Sequence, residues 1–339
     1  MFKVMTRSAL FIFALLSAAS AAEPVKLKLS YFSSDRSTLY LATVKPFVDA
    51  ANANGAGVLQ IDIGFSGALG RDPAQQLQLV LSGTADLAFV VPGYTPDRFP
   101  DNEVIELPGL FRGIREATRV YTGLIAANAL RGYDELFAIG AFATEPESIH
   151  TRPPAASLQE LKGMRIRANN PVQGAALAAL GMVPVQMPIN QAASAISSGK
   201  IDGAMVGPSP AIEFGIARVA PNHYLLGVSS APLLVVMNRK RFESLPEQAQ
   251  QIIRKFSGAW TAERYIEIYR VENDKAIESL KQAANRKVVV PSPPDLARAR
   301  AVFRSEVDVW SAADPRHRQL LTQVEAELGK LRGGTVGRR

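Results

Sequence analysis

Two arginines on one short predicted strand are the residues of this chain best suited to binding chemistry. In the segment LKGMRIRANNPVQGAALAALG, which begins at Leu161, Arg165 and Arg167 alternate with Met164 and Ile166. A strand that leads directly into a helix has no structural need of two guanidinium groups. A guanidinium presents a planar fork of N–H donors that matches a carboxylate, so this segment indicates a site for an anion.

Arg167 is the better candidate of the two. Ligands of open α/β sheets bind beyond the carboxyl ends of the strands, and Arg167 lies at that end. Arg165 lies further back, and we predict a solvated arginine on the rim of the sheet. The alternative for Arg167 is an ion pair with an acidic side chain across the lobe.

The chain shows no recognisable catalytic motif. His150, His223 and His317 have no metal-ligand spacing, and the sequence contains no cysteine. The segments GFSGA and GPSPA, around Ser66 and Ser209, do not fit the G-x-S-x-G pattern, and glycine-rich phosphate loops are missing. The sequence therefore predicts a protein that is not an enzyme and has no cofactor or metal. A lyase or hydrolase, the open alternative, needs a carboxylate or histidine pair facing a cleft.

The N-terminus predicts export. Residues 1–21 combine two basic residues, an apolar run shorter than the roughly 18 residues of a membrane span, and small residues near Ala21 and Ala22. This order is typical of a Sec-type signal peptide and predicts a periplasmic protein. Removal of Lys3 and Arg7 lowers the formal net charge from +7 by two, to +5. The basic residues are scattered, which argues against a nucleic-acid partner.

The elements that must position the arginines are strands and helices that alternate in both halves of the chain. Both halves alternate β-rich runs with amphipathic runs, which predicts two α/β lobes joined near Phe142–Pro154. An extended apolar stretch then returns to the first lobe, and about 40 residues after Leu245 predict one helix long enough to span both lobes. The predicted limits are residues 22–145 plus 232–272 for lobe 1 and 146–231 plus 273–331 for lobe 2.

These segments, in this order, carry a family likeness. The run LxGxRIR, LGMVPVQM, AISSGKIDG, with FSGALGRDPAQQLQLVLSGTADLAF and YTPDRFP before it, resembles the extracytoplasmic solute-binding subunits of TRAP transporters, of the DctP type. The resemblance implies a two-lobed periplasmic binding protein fold whose cleft closes on a small organic acid and delivers it to a membrane permease. It also implies that Arg167 pairs with the ligand carboxylate. A sensor subunit that hands its ligand-bound form to a membrane receptor is the alternative.

Three departures from the family pattern bear on the ligand. Met205 and Val206 stand where polar contacts are common, Val91 stands where sialic-acid-binding members have a glutamate, and Glu147 stands where they have a second arginine. These changes predict a less hydroxylated ligand, such as a keto acid, a dicarboxylate, or an aromatic or branched carboxylate. The alternative is that the three apolar residues pack in the core.

Further candidates follow the ends of predicted strands. We expect Asn169 to contact the ligand and Asn170 to cap the helix that starts at Pro171. The remaining cleft candidates are Phe32, Ser33, Phe65, Ser66, Asp72, Met187 and Ile189. The predicted oligomeric state is a monomer, with a dimer through the long helix as the alternative.

Overall fold

Strands and helices alternate along residues 23–333, the part of the chain that the computed structural model describes. The strands in this part are β1 Val25–Ser30, β2 Leu59–Gly64, β3 Leu87–Val90, β4 Leu136–Ala143, β5 Ser148–Thr151, β6 Arg165–Ala168, β7 Val183–Gln186, β8 Gly203–Val206, β9 Asn222–Tyr224, β10 Pro232–Asn238 and β11 Lys287–Val289. The helices are α1 Lys45–Asn54, α2 Gln76–Leu81, α3 Glu103–Glu106, α4 Ile114–Ala126, α5 Pro171–Ala179, α6 Ile189–Ser197, α7 Pro208–Glu213, α8 Ile216–Val219, α9 Arg239–Glu243, α10 Glu247–Lys255, α11 Ala259–Gln282, α12 Pro293–Ala313 and α13 Pro315–Gly333.

Two mixed sheets organise these elements into two lobes. The first sheet has the order β2-β1-β3-β10-β4, and the second has the order β11-β9-β5-β8-β6-β7. β1 runs parallel to β2 and β3, and β6 runs parallel to β7 and β8. β10 and β5 run antiparallel to their neighbours. The prediction of two α/β lobes is confirmed, whereas only part of each sheet is parallel.

The apolar pattern of the strands explains the interior of each lobe. In β1, Leu27 and Leu29 point into the core while Lys26 and Lys28 face solvent. β3 and β8 are buried at every residue, as expected of central strands covered on both faces. Burial of each such leucine contributes roughly 1.5–3 kcal/mol, so the alternation in β1 favours one face of that strand toward the core.

Two extended segments cross between the lobes and pair with each other. The first follows β4 and leads into β5, and the second leads from β9 into β10. Thr144 donates its N–H to the carbonyl of Ala231, and Glu147 donates its N–H to the carbonyl of Ser229. Val228 donates in return to the carbonyl of Glu147. This pairing holds Glu147 between the two sheets.

The predicted single helix after Leu245 is wrong. α10 ends at Lys255, α11 begins at Ala259, and Gly258 between them has φ 62°, a left-handed conformation that breaks the helix. α11 alone has 24 residues, or about 36 Å. It still contacts both lobes, because Tyr265 packs in the core of the first and Leu280 in the core of the second.

Helix α13 packs on the first lobe, whereas its sequence position predicts the second. Leu320, Val324 and Leu328 join Val120 and Tyr121 of α4 in one buried cluster. The other predicted lobe limits stay a prediction. The predicted signal peptide lies outside the described residues, and among residues 23–333 no helix combines the length and hydropathy needed to cross a membrane.

Candidate functional site

Arg167 is buried between the two lobes and held by four hydrogen bonds. Its side chain is only 2% exposed. Nε donates to the carbonyl of Met187 at 2.9 Å, and Nη1 donates to the carbonyl of Met205 at 3.2 Å. Nη2 donates to Tyr94 Oη at 3.2 Å and to Asn169 Oδ1 at 2.9 Å. The guanidinium is therefore fixed in position by groups that are all uncharged.

Among residues 23–333, no carboxylate forms an ion pair with Arg167. The ion pair across the lobe, which was the alternative from sequence, is not formed there. A buried cation without a counter-ion is costly, because water no longer solvates it and neutral acceptors compensate only in part. Such a site is suited to an anion that arrives from outside the chain.

Tyr94 connects the first lobe to this arginine. Tyr94 Oη accepts a hydrogen bond from the backbone N–H of Ile189 at 3.0 Å as well as from Arg167. Burial raises the pKa of Tyr94, so the phenol keeps its proton, and that proton has no acceptor in the described part of the chain. Tyr94 thus offers a free O–H donor beside the guanidinium. Sequence reasoning missed it, although an aromatic residue soon after a buried strand was the available signal.

A small cavity of about 40 Å³ adjoins the arginine, between the two sheets. Other contacts close the lobes around it: Ser209 donates to Thr38 Oγ1 at 2.8 Å, and the N–H of Thr38 donates to Glu213. The predicted site residues that line the cavity are Phe32, Val91, Glu147, Arg167, Asn169, Ile189 and Val206. Lining residues that sequence reasoning missed are Leu39, Tyr94, Thr144, Pro210, Phe214, Ala231 and Leu233.

Two predicted candidates on the second lobe do not line the cavity with their side chains. Met205 packs in the core of that lobe, because alternate residues of β8 face opposite sides and Val206 takes the cavity side. Met187 contributes its carbonyl to Arg167, while its side chain packs beside the α6 cluster. The backbone at both residues therefore holds the guanidinium.

Four first-lobe candidates that follow β1 and β2, unlike Phe32, serve local structure. Phe65 packs edge-on against Tyr40, with ring centroids 4.9 Å apart. The N–H of Ser66 donates to the carbonyl of Ser33 at 2.8 Å. Asp72 accepts a hydrogen bond from the N–H of Ala74 and caps the short turn that follows. The structure does not bring these four predicted residues, Ser33, Phe65, Ser66 and Asp72, to the cavity.

The asparagine pair after β6 has two distinct tasks. Asn170 caps α5 by accepting from the N–H of Gln173 at 2.9 Å, as predicted. Asn169 instead orients Arg167. Both amide nitrogens face Gly93, where a Cβ would lie only 2.5 Å from Asn169 Nδ2 and 2.9 Å from Glu106 Oε1. A side chain at position 93 would therefore have to displace the amide of Asn169 and the carboxyl group of Glu106.

Glu147 is the carboxyl group that lines the cavity. Gln173 Nε2 donates to its Oε2 at 3.1 Å. Burial raises the pKa of Glu147 to about 7, and the positive charge of Arg167 opposes this rise. The carboxyl group can therefore change its charge near neutral pH.

Among residues 23–333, no histidine and no second carboxyl group lines the cavity with Glu147. His150 and His223 are paired, with their Nδ1 atoms 2.7 Å apart, but they lie inside the second sheet. Within the described range, no cluster of three or more His, Cys, Asp or Glu is arranged to hold a metal ion. The arrangement at the cavity is suited to binding an anion.

Comparison with known proteins agrees with this geometry. The family model for DctP, bacterial extracellular solute-binding protein family 7, matches residues 29–313. A solute-binding protein of Verminephrobacter eiseniae is 27% identical over 238 residues, which cover 69% of this chain and 70% of that protein. The match to the family therefore extends over both lobes.

Solved structures show the same fold. A marine metagenome TRAP solute-binding protein specific for aromatic acids, in complex with 3-hydroxybenzoate, is 25% identical with a TM-score of 0.82 and covers 91% of this chain and 99% of its own. A TRAP solute-binding protein of Rhodoferax ferrireducens, with copurified benzoate, is 22% identical with a TM-score of 0.83, covering 90% of this chain and 98% of its own. The chain belongs to the DctP family of bacterial extracellular solute-binding proteins.

Proposed function

We propose that this solute-binding protein captures a small organic acid between its lobes, holds the carboxylate on Arg167, and delivers the acid to the membrane subunits of a TRAP transporter. The observation that carries this proposal is the buried guanidinium of Arg167, whose partners are all neutral. A ligand carboxylate supplies the missing negative charge. Truncation of one partner of such a buried charged pair typically costs about 2–5 kcal/mol of binding free energy.

The donors left free at the site fit a carboxylate. One N–H of Arg167 Nη1 and the O–H of Tyr94 have no acceptor in the described part of the chain, and both side chains line the cavity. One carboxylate can accept from both without breaking the four bonds that orient the guanidinium. Hydrogen bonds between a charged donor and a charged acceptor are about twice as strong as neutral ones.

The walls favour an acid with an apolar body. Phe32, Leu39, Val91, Ile189 and Phe214 face the cavity. These side chains offer no partner to the hydroxyl groups of a sugar acid, whose burial without hydrogen bonds is costly. An aromatic or branched carboxylate or a keto acid suits the site better, and the 3-hydroxybenzoate bound by the metagenome relative supports this ligand class.

The location and partners follow from the same proposal. From the predicted signal peptide we infer that the mature protein is periplasmic, where it acts as a monomer and releases its ligand, chemically unchanged, to a permease. The TRAP relatives favour delivery over the sensor and lyase or hydrolase alternatives. Light scattering distinguishes the monomer from a dimer formed through α11, and incubation with the bound acid followed by mass spectrometry tests for turnover.

The deciding experiment is thermal unfolding of the mature, ligand-stripped protein against a panel of small organic acids. An acid at a thousand times its dissociation constant adds about 4 kcal/mol, which raises the melting temperature by several degrees. We expect R167A to lose this rise and R165A to keep it. A rise that survives in R167A, or the absence of any rise across the panel, contradicts the proposal.

A further inference from the structure

Glu147 shares the cavity with Arg167, and a carboxylate clamp alone does not explain it. Its backbone is fixed on both sides by the bonds to Ser229 and Val228 in the second crossing segment. Its side chain is only 4% exposed and lines the cavity. The carboxyl group is therefore held at the cavity, where it is shielded from solvent.

This carboxyl group is incompletely paired. Oε2 accepts from Gln173, but Oε1 accepts no hydrogen bond from any described residue. Arg167 attracts the carboxylate electrostatically without forming an ion pair with it. One acceptor oxygen is thus available to a bound ligand.

A ligand carboxylate on Arg167 changes the balance of charge in the cavity. It brings a second negative charge next to Glu147, inside walls that are mostly apolar. Two like charges in such a medium repel strongly, because little water screens them. The repulsion falls if the ligand presents a hydrogen-bond donor to Glu147 or if Glu147 takes up a proton.

We propose that Glu147 determines specificity by selecting organic acids that carry a hydroxyl or N–H donor on an apolar body. This inference rests on the proposed function and adds the second group by which the ligand is recognised. The donor satisfies the free oxygen while Arg167 holds the carboxylate. An acid of the same shape without the donor leaves that oxygen unpaired and facing a like charge.

The pH dependence of binding separates this role from a structural one. Burial raises the pKa of Glu147 to about 7, against the attraction of Arg167. The polar and titratable groups around it are Tyr94, Glu106, Arg167, Gln173, Tyr265 and Tyr269. Protonation of Glu147 below pH 7 removes the repulsion, so an acid without a donor binds more tightly as the pH falls. An acid with a donor depends less on pH.

The test is isothermal titration calorimetry at pH 8 and pH 6 with two matched pairs of probes. Mandelate is compared with phenylacetate, and pyroglutamate with cyclopentanecarboxylate. We expect the donor-bearing acid of a pair to bind at least about tenfold more tightly at pH 8, and the difference to shrink at pH 6. In E147Q, the acid without the donor gains affinity and loses its pH dependence. E145Q, which changes a carboxyl two residues away that lines another cleft, leaves both results unchanged.

Each other outcome counts against the inference. Equal affinities within a pair, or a difference that E147Q leaves unchanged, overturn the role of Glu147 while the clamp at Arg167 stands. If only other acids of the panel bind, the comparison is made between the bound acid and its analogue without the donor, and a bound acid that has no donor overturns the role. If no acid binds at all, the proposed function fails and the inference fails with it.

Discussion

The two ends of β6 present the same side chain to opposite surroundings. Arg165 and Arg167 lie on one face of the strand, about 7 Å apart. Arg165 is 42% exposed and makes a bidentate ion pair with Asp202, with Nε–Oδ2 at 3.0 Å and Nη2–Oδ1 at 2.8 Å. Arg167 is buried and has only neutral partners. Position along the strand, not residue type, separates a surface ion pair from a site that lacks its anion.

The difference arises from what lies beyond each end of the strand. Arg165 begins β6 at the outer rim of the second sheet, where Asp202 precedes β8. Arg167 lies near the carboxyl end, which faces the first lobe, so that Tyr94 covers it. A solvated ion pair is stable on its own, whereas a buried cation is complete only with a ligand.

The largest effect is expected from replacing Arg167 with lysine, and R165K is the matched control. A lysine ammonium cannot bond the two carbonyls that hold Arg167 and still present a planar fork to a carboxylate. We expect R167K to weaken acid binding by at least about a hundredfold, and R165K to leave it within about twofold. The affinities of both variants are measured by calorimetric titration. The ligand is the acid that gives the native protein its largest rise in melting temperature. Equal losses in the two variants would remove the distinction between the ends of β6.

The histidine pair extends the comparison to a buried polar group that has its own partner. Burial lowers the pKa of His150 to about 3 and that of His223 to about 4, against about 6.5 in an unfolded chain. The unfolded state therefore binds protons first as the pH falls. In E147Q we expect the free energy of unfolding to decrease by about 3 kcal/mol between pH 7 and pH 5. In the native protein the decrease is smaller, because Glu147, whose pKa is raised to about 7, takes up a proton in the folded state over the same range.

Urea unfolding across this pH range measures that decrease, and NMR of the two imidazole rings reports their charge. An acid that carries a hydrogen-bond donor should raise the whole curve, because neither imidazole lines the cavity and the binding of such an acid depends little on the charge of Glu147. Ring signals that titrate near pH 6.5 in the native protein would show that the pair is not held neutral.

A smaller effect separates the two asparagines that follow β6. N170A removes the cap of α5 and should lower stability by about 1 kcal/mol, with little change in acid affinity. N169A removes the bond that orients Arg167 and should weaken acid binding several-fold. Chemical unfolding and calorimetric titration of both variants provide the comparison. A reversal of the two phenotypes would mean that Asn170, not Asn169, supports the site.

The smallest effect is expected at the exposed ion pair between Arg165 and Asp202. The Arg165 guanidinium lowers the pKa of Asp202, so the pair contributes stability above the ordinary pKa of an aspartate, and the contribution is lost as the pH falls through the lowered value. We expect D202N to lower the melting temperature by less than about 2 °C at pH 7 and to leave acid binding unchanged. Differential scanning calorimetry measures the change in melting temperature. A loss of binding in D202N would make the rim part of the site.

Sequence patterns predicted the elements better than the details of packing. The capping role of Asn170 and the two lobes follow from local signals, namely a side chain before Pro171 and the alternation of strand and helix. The single long helix was wrong because apolar spacing continues through Gly258, while the backbone there turns left-handed to donate to the carbonyl of Ile139. That bond lies between residues distant in sequence, so no local pattern contains it.

At the candidate site, too, local sequence signals identified some residues and missed those that only the packing of the lobes brings together. Arg167, Glu147 and Val206 could be chosen from strand ends and from the family likeness, and all three line the cavity. Tyr94 was missed although it is an aromatic residue soon after the buried strand β3, and Phe214 was missed because it follows a helix without a signal of its own. Ser66 and Asp72 were chosen for the same general reason as the successful candidates. Ser66 instead bonds the segment that follows β1, and Asp72 caps the turn that follows it.

The sequence by itself determined the class of fold, the order of the segments and the arginine at the end of β6, because apolar periodicity and residue type are properties of the chain. Only the tertiary structure decided that this arginine lacks a counter-ion, that Tyr94 reaches it from the other lobe, and that Glu147 faces the same cavity. Burial and charge pairing depend on residues far apart in sequence. They are fixed when the two lobes come together.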